Sequence, residues 1–291
     1  MFKKTILGFA IILLAMCNNV LAQTITEPLK PKAWTQYQAP FKIVGNLYYV
    51  GTYDLACYLI VTPKGNILIN TGLSSSYSQI LDNITTLGFK PKQTKILLTT
   101  QAHFDHLGAL AALKKTTKAQ FYVNSPDAQV VADGGKSDYE FAKYGTTFAP
   151  VTAEKILMPD EKIIVGGSTV QLLHHPGHTK GSCSYLVDVM ENGKTYKVLI
   201  ANMPSIIVDR KFKDVIEYPS ISNDYAETFK KMEAINFDIW LASHASQFEM
   251  HEKLKANPKY NPLIFADKTG YLKALGELKK AYDNKLIADE K

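Results

Sequence analysis

The feature that most constrains this chain is a pattern that occurs twice: blocks of short apolar strands alternating with helices. From 41 to 71 the pattern is strand after strand, with Leu47-Tyr48-Tyr49-Val50, then residues 56–61, then Ile67-Leu68-Ile69. Pro63-Lys64-Gly65-Asn66 supplies the turn before the last of these. Residues 74–87 carry helical spacing at Ile80, Leu81, Ile84 and Leu87, and Gly88 is a stop. A strand at 95–100, a helix around 107–114 and a strand at 119–124 complete the first block. Residues 133–150, with Gly134-Gly135 and several aromatics, read as a long loop. Strands recur at 162–165, 169–174, 184–189 and 197–200, followed by a helix at 224–235, a strand at 239–242 and a helix at 268–284. Such apolar elements must be covered, which predicts two similar halves, each a sheet with helices on its outer face, packed sheet to sheet.

The N-terminus reads as a secretory signal. Lys3 and Lys4 precede an apolar run from Ile6 to Met16, too short to span a bilayer comfortably. Val20-Leu21-Ala22 places small residues for cleavage before Gln23, so the expected division is a signal segment, 1–22, and one domain, 23–291, in the periplasm. Lipoprotein processing at Cys17 is the competing reading, disfavoured by bulky Met16. Cys57 and Cys183 would then remain; an oxidising compartment permits a disulfide, and two buried free thiols are the alternative. The net charge of +6 includes Lys3 and Lys4, and is +4 without them. With Arg210 as the only arginine, that mild charge argues against a nucleic-acid partner. No later stretch could span a membrane.

The chemistry-bearing residues fall at strand ends. Gln101-Ala102-His103-Phe104-Asp105-His106 follows the apolar run Ile96-Leu97-Leu98. Imidazole and carboxylate are preferred zinc ligands, and neighbours packed this tightly point in different directions, so one loop can serve two metals. His178 sits in the turn-rich Pro176-Gly177-His178-Thr179-Lys180-Gly181, and His244 follows the strand at 239–242. A lone histidine argues little; three strand-end groups together argue for a metal site on a rigid scaffold. Gln101 stands where a third histidine would suit the loop better. His174 and His175 flank the second motif without an assigned role, and His251 reads as a surface residue.

In this order, Gln101-x-His103-x-Asp105-His106, Pro176-Gly177-His178-Thr179 and Ser243-His244, the chain resembles the metallo-β-lactamase superfamily. More narrowly it resembles subclass B3, through Trp34 to Pro40, Tyr48-Tyr49-Val50-Gly51-Thr52 and Gly134-Gly135-Lys136-Ser137-Asp138. The glutamine at 101 is similar to a B3 variant group with Gln at that position. The resemblance spans about Trp34 to about Lys280. It implies an α/β fold, a four-layer αβ/βα sandwich of two pseudo-repeated halves with the site at one edge of the sheets. It implies one zinc site from Gln101, His103 and His178, and a second, tighter one from Asp105, His106 and His244, holding one or two Zn2+ per chain. It implies hydrolysis of penicillins, cephalosporins and carbapenems, hence antibiotic resistance, by attack of a zinc-bound hydroxide on the β-lactam carbonyl. Asp105 is then a ligand first and a proton shuttle second.

The same resemblance implies that Ser205 meets the substrate carboxylate, against a plain turn serine, and that Phe141, Tyr144 and Phe148 wall the apolar side. Met203 stands where B3 enzymes usually carry Ser. Asn70 replaces an Asp in the strand-end Asp-x-Gly pattern and is expected to accept a hydrogen bond from a ligand histidine without adding charge. Residues 201–205 lack the metal-bridging Asp of many other hydrolases of the fold. The expected partner is a small β-lactam, and the expected state a monomer. The competing readings are a thioesterase or lactonase of the same fold and a zinc-binding protein without catalysis.

Overall fold

The computed structural model describes residues 25–291, so the expected signal segment, 1–22, and Cys17 lie outside the described residues. A seven-stranded sheet runs in chain order through β1 (Phe41–Val44), β2 (Leu47–Tyr49), β3 (Tyr58–Ile60), β4 (Asn66–Ile69), β5 (Thr94–Leu98), β6 (Gln120–Asn124) and β7 (Lys155–Leu157). Its first four strands are antiparallel, and β4 to β7 are parallel. The second sheet comprises β8 (Lys162–Val165), β9 (Ser168–His174), β10 (Cys183–Glu191), β11 (Lys194–Ala201) and β12 (Ile239–Ala242), in the order β12-β11-β10-β9-β8. Only its β11–β12 pair is parallel.

Alternation along each strand sorts side chains into layers. In β4, Ile67 and Ile69 join the core between the sheets, while Leu68 faces the helix-covered side; in β5, Ile96 and Leu98 divide from Leu97 in the same way. Such strands are buried on both faces, which is why they read as unbroken apolar runs. The central core sets Tyr58, Ile69 and Leu98 with Val170, Tyr185 and Val187. The outer side of the first sheet is covered by α1 (Tyr77–Thr86), through Ile80 and Ile84, and by α3 (Leu110–Thr117), through Leu110 and Leu113. The second sheet is covered by α5 (Ile221–Glu233) and α7 (Lys268–Glu290), through Phe229, Met232, Tyr271 and Leu275. These are the four layers expected.

The helix expected around 107–114 differs. It begins earlier, as α2 (Phe104–Leu107), and restarts as α3 after Gly108 and Ala109. Gly108 marks a close approach: its N–H donates to Gly72 O at 2.8 Å, and a Cβ there would meet Ser74 N at 2.5 Å. Asp105 and His106 therefore sit on a short helix rather than a loop. Two further short helices, α4 (Ala128–Asp133) and α6 (Met250–Ala256), and strand β7 were not anticipated. No helix among the described residues is long and apolar enough to cross a membrane.

Candidate metal centre

The ends of β4, β5, β9, β11 and β12 meet at one edge of the two sheets. Thr100, just past β5, ties the ends of β4 and β12 to the start of β10. Its carbonyl accepts from Cys183 N at 2.8 Å, and its hydroxyl lies 3.0 Å from Ser243 Oγ. Asn70, at the end of β4, accepts from Thr100 N (2.9 Å) and Thr100 Oγ1 (3.1 Å). This corrects the expectation that Asn70 holds a ligand histidine. Its backbone is left-handed (φ 62°), a conformation Asn tolerates, and this turns its amide toward Thr100 rather than toward the histidines.

From this edge the structure brings Asp105, His106 and His244 together, with one ligand atom from each within 4.8 Å of the others. Asp105 Oδ2 lies 3.3 Å from His106 Nε2 and 3.5 Å from His244 Nε2. The opposite nitrogen of His244 is 3.1 Å from Asp54 Oδ2. Asp54 also accepts from Trp34 Nε1 (3.1 Å) and Ser246 N (2.9 Å), and the Trp34 ring packs 5.5 Å from that of His244. Burial would raise the Asp54 carboxyl, but bonds from His244 and Ser246 outweigh it and hold it well below the usual carboxylate range. Burial opposes charge on His244, yet Asp105 and Asp54 on its two nitrogens bring it up to about 9.

The other expected set is also close. His178 Nδ1 lies 2.7 Å from Ser205 O; a carbonyl only accepts, so Nδ1 carries the proton and Nε2 is left with its lone pair. Burial, helped by charge at His103, lowers His178 to about 3, so it is a neutral imidazole. The His103 and His178 rings are 4.9 Å apart, and Asp138 Oδ2 lies 3.2 Å from His103 Nε2. A carboxylate at one ring nitrogen selects the other for a ligand role. Gln101 is buried, and its Oε1 accepts from Asn202 Nδ2 at 3.3 Å.

These residues fit a divalent cation. His106 Nε2 is buried without a hydrogen-bond partner, 3.3 Å from Asp105 Oδ2, and burial lowers the pKa of His106, so an imidazole that favours the neutral form faces two further donors. Two imidazoles and a carboxylate, one imidazole oriented by an outer acid, are a zinc-type set.

A cavity of about 310 Å³ opens over Gln101, His103, Asp105, His178 and His244. Trp34, Phe104, Phe141, Met203 and Ser205 wall it, with Pro28 and Leu29 at its edge. Tyr144 and Phe148 are not among its lining residues, a correction to the expected aromatic wall. Phe148 is buried in the core under the first sheet, against Gly135, and Tyr144 is 60% exposed with Lys143 over its ring. His174 and His175 pair with Asn124 and Ser184 away from the cavity, and half-buried His251 stacks on Tyr53. Cys57 and Cys183 are buried free thiols. Asp54 and Asp138, which orient two of the histidines, went unassigned in the sequence; Asp138 lay within a motif noted there, and Asp54 gave no signal.

Two facing sheets between helices, with a largely buried Asp-His-His cluster at one edge, define a metal-binding αβ/βα sandwich. The profile of the metallo-beta-lactamase superfamily matches residues 52–193. The metallo-beta-lactamase GOB-18 from Elizabethkingia meningoseptica is 57% identical, covering 92% of this chain and 100% of that one, with a TM-score of 0.90. The class B3 di-zinc metallo-beta-lactamase LRA-12 from an Alaskan soil metagenome is 51% identical, covering 90% and 100%, with a TM-score of 0.88. An N-acyl homoserine lactonase of Bacillus cereus is 24% identical over 70% of this chain and 85% of its own length. The chain belongs to the metallo-beta-lactamase superfamily, and its likeness to class B3 structures is strong.

Asp54→Asn tests the orientation of His244. At least one of the three hydrogen bonds Asp54 accepts must then face an amide N–H₂. Metal affinity is expected to fall about 10- to 100-fold, read by competition with a chromophoric chelator. Unchanged affinity would show that His244 does not depend on Asp54.

Proposed function

We propose that this chain is a zinc-dependent hydrolase of the β-lactam amide bond. The observation that carries the reading is the Asp105–His106–His244 cluster, in which Asp105 and half-buried His244 line an open cavity and His106 is buried beside them. Identity of 57% to a metallo-beta-lactamase over that protein's full length supports the substrate class. Zinc, when bound, supplies a Lewis acid and a water acidic enough to react at neutral pH.

The chain's own residues hold and orient. His244 is fixed by Asp54, His178 by Ser205 O, and Gln101 by Asn202. Phe141, Met203 and Trp34 exclude water from the apolar side of the cavity. Ser205 Oγ, in the cavity wall and 3.2 Å from His178 Nδ1, is the proposed partner of the substrate carboxylate. No serine nucleophile is required.

We further propose that Gln101 places this chain with the glutamine variants of class B3. An amide oxygen binds zinc less well than imidazole, and here it is shared with Asn202, so the Asp105–His106–His244 site is the tighter one.

Hydrolysis of a chromogenic cephalosporin, with and without a chelator, tests the function. Chelator-sensitive turnover is expected. No turnover of any β-lactam, but activity on lactones or thioesters, would replace this reading with the one that the lactonase relative weakly suggests. Zinc binding with no turnover of any of these would leave a non-catalytic zinc protein.

A further inference from the structure

We infer that Asp127 is the positioning residue of the first metal site, a buried carboxylate that clamps the two chain segments supplying Gln101, His103 and His178. The inference rests on the two-site reading above. Asp127 ends the turn between β6 and α4 and is 1% exposed. Its Oδ2 accepts from Ala102 N at 2.9 Å and from Thr179 Oγ1 at 2.8 Å. Its Oδ1 accepts from Gly181 N at 2.7 Å.

The positions of these donors decide the role. Ala102 lies between Gln101 and His103, and Thr179 is next to His178. One side chain thus fixes both halves of the first site relative to each other. None of its hydrogen bonds reaches the segments carrying Asp54 or His244, and the one nearest the second site, from Ala102 N, lies three residues before Asp105. The fit is close: a Cβ on Gly181 would meet Asp127 Cγ at 2.5 Å, so the 176–181 segment lies directly on the carboxylate.

Charge points the same way. Burying an anion against three neutral donors is costly. A tie that only joined two loops would be cheaper with a neutral residue. With a cation bound, the first-site ligands would be one amide and two neutral imidazoles, so nothing in contact with it there would balance its charge. The second site has Asp105 for that purpose. Asp127, with Asp138 on His103, places negative charge behind the neutral set.

Cobalt(II) titration of the full chain tests this, read in the visible ligand-field bands as successive equivalents are added. Asp127→Asn and Asp127→Ala are made in a Gln101→His background, where both sites are expected to fill. The weaker equivalent should lose affinity by about 10- to 100-fold, with alanine worse than asparagine, which keeps the shape and part of the bonding. The tighter equivalent should be unchanged. Thr179→Val, which removes only one donor, should give a smaller loss of the same equivalent and serves if the alanine variant does not fold. Two equivalents bound as in the parent, or both weakened together, would overturn the inference while leaving the two-site reading intact. A Gln101→His parent that takes up only one cobalt ion would overturn both.

Discussion

Asp105→Ala is expected to empty the tighter metal site and to lower kcat/KM for β-lactams by about a thousandfold or more. Metal polarisation and water activation contribute several kcal/mol to such reactions, and about 4 kcal/mol corresponds to about 10³ in rate. Asp105 is the one anionic donor of its cluster, with Oδ2 between His106 Nε2 and His244 Nε2. Without it, no anionic donor of the cluster is left to face the cation. The fold should survive, because the sheet edge is held by Thr100, Asn70 and Ser243 rather than by Asp105. Metal content after dialysis, kcat/KM and far-ultraviolet circular dichroism measure the three parts. His103→Ala should cost less under the same conditions, since it removes a donor from the weaker site. A variant at 105 that keeps its metal and more than about a tenth of the activity would be incompatible with a ligand role for a residue in this position.

The contrast between Asp105 and Asp54 shows what the sequence made legible. Asp105 stands between two histidines directly after an apolar strand, so local spacing alone marks it. Asp54 meets His244 across 190 positions, and no spacing relates them. Its role exists only once the second sheet docks on the first. Asp138 is similar: it lay in a noted glycine-rich segment, but nothing local told it to face His103. The strands were legible where burial on both faces makes an apolar run, as in β4 and β5. They were not where a strand is three residues at a sheet edge, as in β7, whose first two residues are exposed. The loop aromatics failed for a related reason. Phe141 and Phe148 have no periodicity between them, so sequence could not say that one lines the cavity and the other enters the core. Asn70 was recognised as unusual but given the wrong partner, because its left-handed backbone decides where the amide points.

Gln101→His should raise the zinc content of protein purified without added metal from about one to about two per chain, because imidazole is the better zinc donor. Gln101 is buried at 4% exposure, so the new ring enters a packed space beside the His103–His178 pair rather than solvent. The change also ends the sharing of Oε1 with Asn202. That amide retains Thr100 O at 3.3 Å as an acceptor for one of its two N–H groups, so only the other loses its partner. His178 and His103 are already prepared: one is neutral with Nδ1 held by Ser205 O, and the other has Asp138 at Nε2. A better third donor is therefore what the first site lacks. Metal analysis of the two proteins in parallel separates the possible outcomes. Two tightly held zincs in the wild type would show that the amide is an adequate ligand and end the one-zinc reading. One zinc in both would show that the first site does not fill even with a third imidazole, and would end the two-site reading.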